Sequence, residues 1–82
     1  IASEKSMVSI FPNPATDVLN ILSPLPIDEI KIVDLTGNIL LIEKLAGKNS
    51  ITLSLIQLEK GMYIIEIKLI SGNTIQKTII IK

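Results

Sequence analysis

The chain has 82 residues, 48% of them hydrophobic, and eight basic side chains balance eight acidic ones. This length makes one domain, and the balanced charge, with only Phe11 and Tyr63 as aromatic residues, argues against nucleic acid as a partner. Because the chain has no His and no Cys, catalytic triads, thiol chemistry and typical zinc sites are excluded, and we predict no enzyme activity and no cofactor or metal.

Isoleucine is the commonest apolar residue, and its β-branched side chain favours strands over helices. Seven short apolar segments follow one another along the chain, at a spacing of about ten residues that is typical of an antiparallel sandwich. The predicted strands are residues 7–11, 17–22, 29–35, 39–45, 50–55, 62–70 and 74–82. We therefore predict an all-β fold, a seven-stranded antiparallel β-sandwich.

Proline, glycine and asparagine mark the predicted turns between these strands. Pro12, Asn13 and Pro14 end the first strand, because neither proline can donate to a ladder of hydrogen bonds. Two prolines flanking an asparagine also make a rigid, exposed feature that a partner could grip. Further turns are predicted at residues 23–26, 36–38, 46–49 and 71–73, and residues 54–60 form at most one turn of 3₁₀ helix.

A few single residues invite a chemical interpretation beside a structural one. Asp34 could bind Ca²⁺ together with Asn38, but an aspartate that caps a turn is far commoner. Lys77 lies on an otherwise apolar face, where it is either a desolvated lysine for Ser–Lys catalysis or a guard against edge pairing. Tyr63 is predicted to be a core aromatic whose hydroxyl donates to a loop carbonyl, rather than a ligand contact. Gly61 is predicted to have a positive φ at the start of that strand.

Taken in order, these motifs resemble the C-terminal sorting domain (type A) of the type IX (Por) secretion system of Bacteroidetes-type bacteria. The resemblance runs from about Val8 to Lys82. The residues that carry it are Pro12-Asn13-Pro14, Asp34 with Gly37, Gly61 with Tyr63, and the closing Lys77, Ile79, Ile81 and Lys82.

The resemblance implies that the predicted seven-stranded antiparallel sandwich is an Ig-like β-sandwich. It also implies a signal that is recognised as a folded domain, with recognition concentrated in residues 77–82. Cargo lies N-terminal to such a domain. Shuttle proteins and an outer-membrane translocon carry it from the periplasm to the cell surface or the medium, and a sortase-like cysteine protease then removes the domain. Residues 1–6 would be a linker from the upstream cargo near the processing region, and residues 7–82 the sorting domain.

Other interpretations of the same residues remain. The domain could be a non-catalytic Ig-like or fibronectin-like spacer, or a carbohydrate-binding module of a surface protein, although such modules usually expose aromatic side chains. The polar start without Met predicts a piece of a longer protein, and no apolar run is long enough for a membrane helix. We also expect the last strand to be a free edge to which a receptor adds a strand, and such edges would permit a homodimer of the isolated domain.

Overall fold

The computed structural model describes residues 8–82, which form a five-stranded antiparallel sheet. The strands are β1 (Ser9–Phe11), β2 (Val18–Val33), β3 (Ile39–Ser54), β4 (Gly61–Leu69) and β5 (Thr74–Ile81). The predicted all-β fold is confirmed, and no helix of the described residues has the length and hydrophobicity of a membrane span. The predicted linker, residues 1–6, and the predicted strand start at residue 7 lie outside the described residues.

The prediction of seven strands is wrong, because two of the predicted turns do not reverse the chain. The second and third predicted strands are both parts of β2, and the fourth and fifth are both parts of β3. These two long strands pair antiparallel from end to end, and their register shifts between Leu22 and Ile27. The predicted turns are therefore irregularities inside continuous strands.

Local hydrogen bonds explain how β2 passes through its two prolines without turning back. The Ser23 hydroxyl, nearly buried, donates to the carbonyl of Leu25 at 2.7 Å and accepts from the Leu25 amide at 3.0 Å. Asn49 of β3 donates through Nδ2 to the carbonyl of Ser23 at 3.1 Å. On β3 the matching irregularity lies at Ala46 and Gly47, whose φ angles are 51° and 93°. These contacts replace ladder bonds that a proline cannot make.

All five strands belong to one hydrogen-bonded sheet, so the predicted arrangement as a two-sheet, Ig-like sandwich is not confirmed. The first part of β2 pairs with β1 and the end of β3, and its second part pairs with the start of β3 and with β4. The sheet curls around a single core. The core side chains with 0% exposure in the strands are Leu19, Ile21, Ile27, Ile30, Ile32, Ile65, Ile67 and Ile79.

Two of the predicted turns, at residues 36–38 and 71–73, are confirmed and form hairpins. β2 and β3 are joined by a tight turn at Gly37, with φ 94°, and β4 and β5 by a turn at Gly72, with φ 99°. Glycine suits both positions because a Cβ atom disfavours this region of φ. The link from β3 to β4 is a turn in which the Leu58 amide donates to the carbonyl of Leu55 at 2.9 Å.

Candidate functional site

The last strand, β5, is held on both sides by segments that are distant in sequence. On one side it pairs antiparallel with β4, which places Gly61 opposite Ile81 and Tyr63 opposite Ile79. On the other side it meets the proline-rich turn that follows β1. The fold therefore brings the predicted first-turn residues, the β4 entry and the terminal strand to one place.

Asn13 covers the outer edge of β5 with its side chain. Its Nδ2 donates to the carbonyl of Thr78 at 3.2 Å, and its Oδ1 accepts from the amide of Ile80 at 3.1 Å. The carboxamide thus offers one donor and one acceptor, as the peptide unit of a neighbouring strand would. It occupies the place of a pairing strand at this point of the edge.

Ala15 continues the cover with its backbone. Its amide donates to the carbonyl of Ile80 and its carbonyl accepts from the amide of Lys82, both at 2.8 Å, and its side chain is fully buried. We call residues 13–15 the clasp. The expectation that the last strand is a free edge is therefore wrong over residues 78–82, because the clasp uses backbone groups that a receptor strand would need.

Pro12 and Pro14 flank the clasp asparagine and are exposed. Both follow cis peptide bonds. Neither proline carries an amide hydrogen, so neither leaves an unpaired donor at the sheet edge. In this fold the feature that the sequence marks as rigid and exposed is the device that holds the last strand.

The side chains of β5 alternate between core and solvent. Ile79 and Ile81, both predicted recognition residues, are 0% and 4% exposed and lie in the core. Ile80 is 39% exposed, and Lys82 is exposed too. A partner that meets the folded domain can therefore reach Ile80 and Lys82. The prediction did not single out Ile80, although the period of two along a strand is the signal that could have found it.

Lys77 is half-buried on the inner side of β5, and its ammonium group donates to the carbonyl of Val8 at 3.0 Å. Val8 itself is buried, only 3% exposed, just before β1 begins. The lysine therefore ties β5 to the start of the described chain and satisfies a main-chain acceptor.

The predicted role of Tyr63 is confirmed. Its ring is in the core with 8% exposure, and its hydroxyl donates to the carbonyl of Glu59 at 2.6 Å. Gly61 has φ 153°, so the predicted positive φ is also confirmed. The tyrosine anchors the loop that leads from β3 into β4.

Asp34 caps the turn between β2 and β3, as the commoner interpretation predicts. Its Oδ1 accepts from the Thr36 amide (2.9 Å), the Thr36 hydroxyl (2.7 Å) and the Asn38 amide (2.9 Å), while Oδ2 accepts from Asn38 Nδ2 at 3.2 Å. These bonds, led by the one from the Thr36 side chain, hold the pKa of the Asp34 carboxyl below its ordinary value. Within residues 8–82 no three metal-ligating side chains come together.

Asp34 and Gly37 lie at the β2–β3 turn, away from the clasp. Asp34 nevertheless lines a groove of about 290 Å³ together with Tyr63 and Glu59. The predicted signature residues therefore fall into two groups. One group surrounds β5, and the other caps the turn from which β3 starts.

A family model described as the secretion system C-terminal sorting domain matches residues 9–82. The match covers all five strands, the clasp and the terminal Lys82. No curated protein matches the chain significantly.

Proposed function

Since this chain belongs to the type IX secretion system C-terminal sorting domains, a family of sorting signals rather than catalysts, we propose that its folded form directs an N-terminal cargo through the outer-membrane translocon. Cargo of this pathway is exported to the cell surface or the extracellular space. The family implies a source among Bacteroidetes-type bacteria.

The observation that carries this proposal is the family match over residues 9–82. The clasp supports its finer part, the reading of the signal in folded form. Asn13 and Ile80 are 67 positions apart, yet their hydrogen bond is part of the edge of the terminal strand. In an unfolded chain, Ile80 and Lys82 would not lie on a strand whose edge is bonded to the clasp. A receptor that requires this bonded strand would therefore bind only the folded domain.

The route we propose runs through the periplasm with the help of shuttle proteins. A sortase-like cysteine protease then cuts near or before residues 1–7. A protease needs an accessible, extended segment. Val8 is buried and β1 starts at Ser9, so a cut after that point would have to open the packed domain.

A fusion experiment tests the proposal. Residues 1–82 are attached to the C-terminus of a fluorescent protein that reaches the periplasm, in a host with a functional type IX system. Reporter on the surface and in the medium is compared with that of a translocon-deficient strain. We expect export that depends on the translocon. In a strain without the protease, we expect the reporter to keep the domain, which is detected as a larger size on a gel.

Reporter retained in the periplasm, with the domain folded, would contradict the proposal and favour a spacer or a carbohydrate-binding module. The described residues offer little for the latter. Tyr63 is buried and Phe11 is 44% exposed, so a single aromatic ring is available for stacking on a sugar.

A further inference from the structure

The sheet has a second long edge, along β3, and this edge is not clasped. β3 pairs with β2 alone among the described strands, while β1 on the far side of β2 has only three residues. Sheet edges of monomeric proteins are usually blocked by charges, prolines or a covering segment. The start of β3 is instead Ile-Leu-Leu-Ile, in which Ile39, Leu40 and Ile42 are 52%, 43% and 49% exposed.

The hydrogen-bond pattern shows which backbone groups this edge offers. The Leu69 amide donates to the carbonyl of Asn73 at 2.8 Å, so Leu69 faces β5, and Glu66, three residues earlier, faces β2. Glu66 lies opposite Lys31, which therefore directs its backbone groups to β4 and away from β3, and Lys31 lies opposite Ile42. Because backbone groups alternate along a strand, Ile42 directs its amide and carbonyl away from β2 and toward the open edge.

A cleft of about 500 Å³ lies beside this edge, between the two parts of β3. Its apolar lining comes from Leu41 and Ile51, which are partly exposed and pack against the core, and from Leu53, which is buried. Glu43, Thr52, Ser54 and Gln57 are its polar lining residues, and more of its lining surface is polar than apolar. A strand added along β3 would place alternate side chains over this cleft, where an aliphatic group can meet Leu41 and Ile51 beside these polar residues.

Glu43 brings an available negative charge to the cleft. Its neighbour Lys44 is paired with Glu29 at 2.5 Å, and Glu29 also lies 3.7 Å from Lys31. Within residues 8–82 no basic side chain lies within ion-pair distance of Glu43. A cationic side chain of a partner would therefore meet a carboxylate without displacing a contact of the described residues.

The geometry points to β3 as the edge to which a component of the secretion machinery adds a strand, an inference that rests on the proposed function. The partner is an extended protein segment. It carries an aliphatic side chain that meets Leu41 and Ile51 in the cleft and a Lys or Arg beside Glu43. Main-chain hydrogen bonds supply affinity, and the cleft and the carboxylate select the side chains. The secretion machinery would then recognise the exposed residues of β5 through their side chains and β3 through its backbone groups.

The test uses the same fusion with Ile42→Pro. Proline removes a donor at a residue whose amide points away from β2, and edge strands tolerate it there. We expect translocon-dependent surface reporter to fall about tenfold or more, because the partner loses a main-chain bond and its close approach. Circular dichroism and thermal unfolding of the 82-residue chain check the fold. Glu43→Lys is the second variant, since it keeps the backbone and reverses the charge, and we expect it to lower export as well.

Gln76→Pro is the matched control, because Gln76 lies four residues before Ile80, whose amide faces outward, and beyond the clasp. Its side chain also donates to Glu66 at 2.8 Å, so the same folding measurements are made on this variant. Its export is expected at the level of the unsubstituted domain. If that level is reached by folded Ile42→Pro and by Glu43→Lys, the inference is overturned. Export lost in Gln76→Pro alone would move strand addition to β5. If Ile42→Pro does not fold, Glu43→Lys decides. Failure of the unsubstituted domain to be exported would instead reject the proposed function.

Discussion

The two long edges of this sheet differ in whether their outward-facing backbone groups are bonded. On β5, the Asn13 carboxamide and the Ala15 backbone bond four outward-facing groups, which are the Thr78 carbonyl, the Ile80 amide and carbonyl, and the Lys82 amide. On β3, Ile39, Leu40 and Ile42 are aliphatic and exposed, and no described strand pairs beyond them. The same sheet thus satisfies one edge internally and leaves the other available for pairing.

The difference separates two roles that a small signal domain has to combine. A terminal strand would fray if it were not tied down, because chain ends are poorly ordered unless they are bonded to the rest of the domain. The clasp and the β4 pairing keep β5 in place. Recognition by strand addition needs an unpaired edge, and β3 provides one from the interior of the chain, where both of its ends are held.

The largest expected effect separates the buried side of β5 from the exposed start of β3. Ile79→Ala removes a side chain with 0% exposure and should cost about 2–5 kcal/mol of stability, since it leaves a cavity. Leu40→Ala, at a residue that is 43% exposed, should cost about 0.5 kcal/mol or less. Urea unfolding of both variants measures the difference, and equal stabilities would contradict the position of β5 in the core.

Removing the side-chain part of the clasp should open the β5 edge at the Thr78 carbonyl and the Ile80 amide, while the Ala15 bonds remain. Asn13→Ala deletes two side-chain hydrogen bonds at a solvent-exposed site, which should cost about 1–2 kcal/mol. The Ile80 amide should exchange its hydrogen faster, approaching the rate at Ile42, whose exchange stays unchanged.

Asn38→Ala is the control for this measurement, because Asn38 lies in the turn that precedes β3 and makes no contact with the clasp. It should leave Ile80 exchange as it is. Unchanged protection of Ile80 in Asn13→Ala would show that the side chain is not what covers the edge.

A smaller effect is expected at Tyr63, which lies between the loop that follows β3 and the last strand, β5. Tyr63 anchors the loop between β3 and β4 through its bond to the Glu59 carbonyl and lies opposite Ile79 of β5. Tyr63→Phe keeps the ring and removes the hydroxyl, so we expect a loss of about 1 kcal/mol in urea unfolding. A loss no larger than that of Leu40→Ala would mean that the bond adds nothing to stability.

The smallest effect concerns the turn from which β3 starts. The folded-state pKa of Asp34 is lowered, so its contribution to stability is complete above the unfolded pKa of about 3.9 and is lost as pH falls through the folded value. Asp34→Asn should therefore be less stable than the unsubstituted chain near neutral pH, and the difference should shrink on acidification. Glu29, whose pKa is also lowered, titrates in both proteins and cancels in the comparison. Urea midpoints measured at a series of pH values test this, and a difference that stays constant would contradict the lowered pKa.

Local features of the chain were predicted correctly where a few neighbouring residues decide the structure. Isoleucine-rich alternation predicted the strands, Gly37 and Gly72 the hairpins, and the positions of Asp34 and Tyr63 their hydrogen-bonding roles. In each case the partner is within four positions in sequence or the conformation belongs to one residue. Spacing and residue type are then sufficient evidence.

The number of strands could not be predicted in the same way. Proline, glycine and asparagine occur both where a chain reverses and where a strand is interrupted by a bulge. Whether β2 continues or turns back at its prolines depends on contacts such as that of Asn49, which donates to the carbonyl of Ser23, 26 positions earlier. No local pattern contains that contact, so two long, bulged strands looked like four short ones.

By itself the sequence determined the all-β class, the positions of the hairpins and the family signature, because these depend on local conformation and on the order of motifs. The sequence marked Asn13 as the centre of a rigid turn, but it did not show that the Asn13 side chain bonds to β5. Only the tertiary structure decided that this turn covers β5, that Ile79 and Ile81 are buried, and that β3 is the edge left open. Each of these depends on hydrogen bonds or packing between segments far apart in the chain, whose geometry exists only after the sheet has curled around its core.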